Sequence, residues 1–589
     1  MTFEQQIKDA VLQIVKELYA TELEQDSIQI QKTKKEFKGD FTLVVFPFVR
    51  YSKKSPDATA LEIGEKLKEL LSAVEDFNII KGFLNISLSN KVWVQYINEL
   101  RKKDFSHLPQ KENLSPVVVE FSSPNTNKPL HLGHVRNILL GNAVCNILKT
   151  NGYPVVRVNL VNDRGIHICK SMVAWLRSAN GETPQSSGMK GDKLVGKYYV
   201  EFDRLYKEDV KDLEAKGFSK EEAEKQAPVL LEAQEMLRKW EDGNKEVREL
   251  WQQMNTWVYQ GFDETYNTMG IAFDKIYYES DTYLLGKKIV EDGLKKNIFH
   301  KHTDGSVRAD LTAEGLDEKV LLRSDGTSVY MTQDIGTAVL RVEEFQPQKM
   351  IYIVGNEQNY HFDVLKLILD KKLGYDWGKS VYHLSYGMVE LPSGKMKSRE
   401  GTVVDADDLM ENMVLIAKEN TEKLGKSNTF TPQQQQELYS MLGLGALKYF
   451  ILKVDPKKNM LFNPEESIDL NGNTAPFIQY THARICSLLA KAEQQAVALD
   501  KCIPETDLIE PEKELLRVLY EYSGVLVQSA QELSPALVAN YAYELVKTYN
   551  HFYQDTPVLR EENQDKRIFR LQLSQTTASI IKHAMNLLG

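Results

Sequence analysis

Apolar residues follow two rhythms along this chain, and the change from one to the other marks where its elements begin. The run Val117-Val118-Val119-Glu120-Phe121, β-branched and preceded by Ser115-Pro116, predicts a buried strand, and the polar stretch from Ser122 to Pro129 predicts a loop. From Leu132 to Lys149 the apolar positions Val135, Ile138, Leu139, Ala143, Val144, Ile147 and Leu148 return at helical spacing, so a helix opens at His131-Leu132-Gly133-His134. A turn at Asn151-Gly152-Tyr153-Pro154 leads to a second apolar run, Val155 to Val161. Strand, helix and strand in that order predict a parallel right-handed crossover, with Asn162-Asp163-Arg164-Gly165 at the carboxyl end of the second strand, where open parallel sheets bind ligands.

Residues 1–110 read as a separate α+β unit. An amphipathic helix (Ile7, Val11, Ile14, Val15, Leu18) precedes a strand at Phe41–Phe46, a helix from about Ala58 to Leu71 and a strand at Gly82–Leu88, and the polar stretch Lys102–Ser115 is the linker. After the first crossover, charged helices at about 181–260, with a Ser219–Glu222 capping box and a run from Val229 to Trp251, predict an insertion. The sheet resumes at Lys349–Val354, followed by Gly355-Asn356-Glu357-Gln358 opening a helix, then Tyr382–Leu391 and the loop Ser393-Gly394-Lys395-Met396-Lys397-Ser398-Arg399-Glu400-Gly401. That loop lacks the spacing of a Walker phosphate loop, and taken alone a solvated basic turn is its commoner fate. Helices fill the chain from 406 to 589, with Thr431-Pro432 and Ser534-Pro535 marking helix starts. The expected architecture is α/β and multidomain: 1–110 α+β, 111–405 a parallel-sheet core with the insertion, and 406–589 helical.

Composition narrows the class. A chain of 589 residues with 42% hydrophobic and 26% charged residues is globular and too long for one core, with roughly three to five domains expected. The formal charge of -10 excludes a generic polyanion binder, so any nucleic-acid contact has to come from local basic patches. Four scattered cysteines, Cys145, Cys169, Cys486 and Cys502, form no metal or disulfide pattern, which fits a reducing cytoplasm. The first helix has no signal-peptide pattern, and no apolar run reaches the roughly 18 residues of a membrane span.

The tetrad is the strongest chemical candidate. A helix N-terminus offers unpaired N–H groups and a positive dipole end to phosphate; Gly133 leaves bare backbone for a flat ring, and His131 and His134 share the first turn. The plainer alternative is that both histidines are helix-start residues bonded locally. A zinc pair lacks further ligands nearby.

Taken together, the tetrad, the Lys395-Met396-Lys397-Ser398-Arg399 loop and the helical carboxyl third resemble a class I aminoacyl-tRNA synthetase. Glu120 to His134, Ser324 to Ile335 and Gln479-Tyr480-Thr481-His482-Ala483-Arg484 resemble arginyl-tRNA synthetases in particular, as do Gly39-Asp40-Phe41 and Gly82-Phe83-Leu84-Asn85-Ile86. The resemblance implies a Rossmann-like catalytic core, an N-terminal domain on the tRNA elbow, a helical domain on the anticodon, and arginine, ATP and tRNA(Arg) as partners. It further implies that Asp334 and Tyr330 take the guanidinium with Glu120 as a second acid, and that Ser123, Asn125, His134 and Gln358 hold the rest of the amino acid. His131 and His134 would contact the phosphates and Gly133 the adenine, while Lys395 and Lys397, with magnesium, would close over pyrophosphate. The usual Lys-Met-Ser-Lys-Ser order is altered here, which leaves Lys397 and Arg399 as alternatives for the second cation. Tyr480 and Arg484 are implied tRNA contacts, exposed aromatics such as Tyr480 or Tyr549 could stack on bases, and Lys448, Lys453, Lys457, Lys458, Lys566, Arg567 and Arg570 could add positive field. Members of the family often continue a few residues past Leu588-Gly589 and commonly require bound tRNA before activating arginine. A cytoplasmic monomer with no protein-bound metal is expected. A class I synthetase of another specificity and a non-catalytic tRNA-binding paralogue remain as alternatives.

Overall fold

The computed structural model describes residues 2–105, 113–392, 404–423, 425, 430–503 and 505–589. The lysine-bearing loop 393–401 lies outside them, and with it Lys395, Lys397 and Arg399. Two compact units divide the chain: Met1–Phe105 with Thr481–Ser523 and Glu544–Lys582, and Ser106–Tyr480 with Gly524–Tyr543 and His583–Gly589.

In the first unit, strands β1 (Ile30–Lys32), β2 (Phe41–Val44), β3 (Val74–Ile80) and β4 (Phe83–Leu88) form an antiparallel sheet in the order β1-β2-β4-β3. The amphipathic helix Phe3–Tyr19, capped by Thr2, buries Ile7, Val11, Ile14 and Val15, as the spacing predicts. The strand expected to reach Phe46 stops at Val44, because Phe46-Pro47 opens a short helix, Phe46–Ser52, in which proline occupies its favoured first turn. The Gly39-Asp40-Phe41 motif has a structural account. Asp40 is buried, accepts from the Leu88 N–H at 2.7 Å and the Trp93 indole at 3.4 Å, and pairs with Arg517 at 2.6 Å.

The second unit is built on a five-stranded parallel sheet. Its strands are β5 (Val117–Glu120), β6 (Val155–Val161) and β7 (Lys275–Tyr278), then, after a small antiparallel sheet of β8 (His300–Lys301), β9 (Val307–Ala309) and β10 (Lys319–Leu322), β11 (Lys349–Gly355) and β12 (Val381–Tyr386). The order β12-β11-β5-β6-β7 puts β5 at the centre and the change of winding direction between β5 and β11. Ligands bind at such a switch point, outside the carboxyl ends of the strands. The Ser122–Pro129 loop leaves β5 and the Asn356–Gln358 turn leaves β11, so both flank that point.

Helix Leu132–Thr150 is almost wholly buried, including Arg136 and Asn137. The Arg136 guanidinium spends its donors on four carbonyls, those of Gly387, Met388, Pro456 and Lys458 at 2.7–3.2 Å, which fixes the helix to the chain leading toward the lysine loop. The insertion is helical as expected, with the Ser219–Glu222 capping box present, but the run from Val229 to Trp251 breaks into Pro228–Glu241 and Lys245–Met269. Its helices bury one face, for example Met254, Trp257, Val258, Phe262 and Tyr266. Beyond the short strand Met460–Leu461 the named elements are all helices.

Gly141 shows how tightly the central helix sits. A Cβ there would lie 2.2 Å from Phe121 Cγ, at the end of β5. Helix propensity favours Gly141→Ala by roughly 1 kcal/mol, but overpacking costs about 1–3 kcal/mol. The expected outcome is a lower melting temperature on a thermal unfolding scan; a rise would show that the helix can move away from the sheet.

Candidate active site

The site begins where β5 ends. Glu120 is the last residue of the strand, and the next two after Phe121, Ser122 and Ser123, both adopt positive φ (74° and 43°), which L-residues rarely do. Two buried asparagines over-determine this turn. Asn137 Oδ1 accepts from the Ser122 N–H at 2.6 Å and Asn159 Oδ1 from the Ser123 N–H at 3.0 Å, while Ser122 Oγ bonds the Tyr266 hydroxyl at 2.7 Å. The turn lets Ser123 Oγ reach back and donate to Glu120 Oε1 at 3.1 Å. Asn125, exposed, bridges to Asn162 at the end of β6, and Asn137 also donates to the Ile353 carbonyl of β11 at 2.7 Å. The loop is therefore anchored to all three central strands.

At the tetrad, the local-bonding alternative is realised. His131 is the N-cap: its Nδ1 accepts from the Gly133 N–H at 3.1 Å, and the His131 N–H donates to Nδ1 of His134 at 3.2 Å. The rings lie 3.9 Å apart. A neutral imidazole that accepts at Nδ1 carries its proton on Nε2, so the capping bonds fix both rings as Nε2–H donors. They also stay neutral: burial, with Lys128 nearby, lowers the His131 pKa to about 4, and burial, then His131 and Lys128, hold His134 well below its ordinary value. Gly133 first accommodates a neighbour of its own, since a Cβ there would sit 3.0 Å from the His131 ring. The Leu132 N–H donates to Val404 O and the Ala406 N–H to Leu130 O, so the chain resuming after the lysine loop is stitched to the tetrad. Asp407 and Asp408 there pair with Lys190 and Lys193 of the insertion at 2.6 and 2.7 Å.

The acids gather on one face of the sheet. Glu120 stands in register with Tyr352 of β11, and the face they share is covered by helix Tyr330–Phe345, which carries Tyr330, Asp334 and Arg341 along one stripe. Asp334 receives a hydrogen bond from His361 Nε2 at 2.6 Å, and Glu120 pairs with Arg341 at 2.5 Å. Tyr352, whose hydroxyl burial pushes up to about 12, feels Arg341, Glu120 and Asp334 together, so these groups share one neighbourhood. Tyr330 opens the helix and is 71% exposed; Gln358 is exposed in the turn after β11. The sequence reading missed Glu279, a buried acid just past the end of β7, which burial, together with Asp163 and Asp334, pushes up to about 7. Its signal was present: a carboxylate at the carboxyl end of a parallel strand, the same rule that drew attention to Asn162. Asp163, by contrast, is fully engaged, with its carboxylate taking Ser280 and Tyr259 at 2.8 Å.

Family models cover almost the whole chain: the Arginyl tRNA synthetase N terminal domain over residues 4–88, tRNA synthetases class I (R), catalytic domain, over 97–463, and the DALR anticodon binding domain over 478–589. The arginine–tRNA ligase of Bacteroides thetaiotaomicron is 57% identical over 591 aligned residues, covering 100% of this chain and 99% of that relative. The chain belongs to the arginyl-tRNA synthetases. The Porphyromonas gingivalis relative is 55% identical at the same coverage. Among solved structures, Thermus thermophilus arginyl-tRNA synthetase superposes with a TM-score of 0.80 at 23% identity, covering 100% of this chain and 99% of that one, so the fold is shared.

Within this synthetase the implied tRNA residues fare differently. Tyr480 is 44% exposed, whereas Tyr549 is fully buried with its hydroxyl on Ser574 and is no stacking platform. Arg484 donates to Asn550 at 2.7 Å. Arg570 leaves the basic set, being buried and paired with Glu512 and Glu561 at 2.6 Å; Lys448 is turned onto the Gly589 carbonyl.

The tetrad predicts a pH dependence of stability. Burial, with Lys128, lowers the His131 pKa from 6.5 to about 4 on folding, so between those values the unfolded state binds the extra proton and acid favours unfolding. His131→Asn, which keeps an N-cap, is expected to remove up to about 3 kcal/mol of acid-induced loss at pH 4. Urea unfolding at a series of pH values checks this, and parallel curves for the two proteins would contradict it.

Proposed function

We propose that this chain joins L-arginine to tRNA(Arg) in two steps at the carboxyl edge of the parallel sheet. An arginine carboxylate oxygen attacks the α-phosphorus of ATP and pyrophosphate leaves; the 2′-hydroxyl of the terminal tRNA ribose then attacks the carbonyl carbon and AMP leaves. No protein nucleophile is involved, so positioning and charge stabilisation carry the rate. The observation that carries the reading is the full-length 57% identity to an arginine–tRNA ligase, and the geometry supports it.

In this reading Asp334 and Tyr330 receive the guanidinium, a planar five-donor fork that is always charged, and Glu279 joins them. Glu120, Ser123, Asn125 and Gln358 hold the ammonium and carboxylate end, with His134 beside them. His131 and His134 give Nε2–H bonds to the triphosphate, which the helix N-terminus also favours, and the adenine lies along the Gly133 side. Lys395 stabilises the departing pyrophosphate, with Lys397 or Arg399 as the second cation. Magnesium enters with the triphosphate substrate. Residues 1–110 meet the tRNA elbow, and the helical region 406–589, through Tyr480 and Arg484, the anticodon arm. A monomer working in the cytoplasm completes the reading; no described helix is long and apolar enough to cross a membrane.

Pyrophosphate exchange with tRNA present is expected with arginine and absent with lysine or cysteine; exchange with either of the others overturns the specificity. Asp334→Asn is expected to raise the KM for arginine about 100-fold, since a charge-assisted bond to the guanidinium is lost. Lys395→Ala is expected to slow adenylate formation far more than it weakens arginine binding, and equal losses in both would remove Lys395 from the pyrophosphate role.

A further inference from the structure

Arg341 is one of the largest fully buried side chains of the protein, yet it sits deep in the face that carries the acids. Its Nη2 lies 2.5 Å from Glu120 Oε2, and among the described residues Glu120 is the carboxylate within ion-pair distance of it. The rings of Tyr277 and Tyr352 flank the guanidinium at 5.2 and 5.3 Å, which confines it between β7 and β11 and under β5. Seven residues separate Asp334 from Arg341, two turns of one helix, so a single rigid element sets both.

The consequence for Glu120 is an orientation. Oε2 is sealed from solvent against Arg341, while the side chain as a whole keeps 10% of its surface exposed and Oε1 accepts from Ser123. The accessible side of the carboxylate is therefore the Ser123 side, where the loop of the candidate site runs. A buried ion pair is weak evidence for stability, since apolar replacements often serve as well, so its location beside the site asks for another reason.

We propose that Arg341 is a positioning residue for arginine binding, acting through Glu120: it clamps one carboxylate oxygen so that the other, steadied by Ser123, meets the substrate's amino-acid end. This rests on the proposed function, whose own failure reads differently, as a wild-type protein that shows no arginine-dependent pyrophosphate exchange.

The test is pyrophosphate exchange by the full chain with tRNA(Arg), reading the KM values for arginine and ATP and kcat separately. Arg341→Lys, which keeps the charge but loses the planar guanidinium held between Tyr277 and Tyr352, is expected to raise the arginine KM about tenfold or more, leaving the ATP KM within about twofold and kcat less affected than the arginine KM. In a Glu120→Gln background the same substitution is expected to add less than about twofold, because its target is gone. Equal rises in both KM values, an unchanged arginine KM, or the same factor in both backgrounds overturns the proposal. Should Arg341→Lys not fold by circular dichroism, Glu120→Gln is compared with Glu120→Gln/Arg341→Met: matching arginine KM values support the proposal, and a further tenfold loss in the double variant overturns it.

Discussion

A guanidinium is charged at every pH a protein meets, so a site selective for it has to keep carboxylates ionised and in place before the ligand arrives. Buried carboxylates resist that: desolvation favours the neutral acid, and neighbouring acids compound the effect. Glu279, pushed up to about 7 chiefly by burial even though Arg164 opposes the shift, shows how strong that effect is at this edge. Glu120 and Asp334 each have a donor in direct contact, Arg341 at 2.5 Å and His361 at 2.6 Å. The two donors differ in kind. Arg341 is sealed in the core, so Glu120 keeps it permanently, whereas His361 and Asp334 are 20% and 29% exposed at the mouth, where a better fork can compete for the carboxylate.

In the proposed function the tetrad meets an anion, which is the converse problem. Two histidines in the first turn of a helix would, if protonated, repel each other 3.9 Å apart, and if neutral with the proton on Nδ1 would present lone pairs to an anion. Using both Nδ1 atoms as acceptors in the helix cap removes both outcomes. The cap thus does two things with the same atoms: it satisfies orphan N–H groups of the helix and it chooses the tautomer that can donate outward.

Much of this was legible because it is local. The strand Val117–Glu120, the tetrad helix and the Lys349–Gly355 strand lie where periodicity places them, and the loop that Ser, Asn and Pro announced follows the first of them, although its left-handed backbone at Ser122 and Ser123 had no sign in the sequence. What was not legible depends on long-range packing. Arg341 reads in sequence as an ordinary surface arginine between Leu340 and Val342, and only the register of β5 with β11 puts Glu120 above it. Arg570 and Tyr549 fail in the opposite direction, since a basic or aromatic residue on a helix gives no local sign of the acids or hydroxyl that bury it. The strand at Phe41 was overextended because an apolar run cannot distinguish strand from helix where Pro47 starts a new element.

Strand β5 is the member that links Glu120 to the tetrad helix. Glu120 closes it, Phe121 packs against the bare Gly141 of the tetrad helix, and the Ser122–Ser123 turn is held by Asn137 of that same helix, one turn beyond Gly133. Displacement of the Glu120 carboxylate therefore acts on Ser123 through a hydrogen bond, and on the tetrad through a packed ring and a buried amide. Loops alone would let the amino-acid and nucleotide ends drift independently. A turn pinned at both ends keeps Glu120 and the tetrad helix in a fixed relation, and in a reaction without an enzyme nucleophile fixed alignment is where rate can be gained.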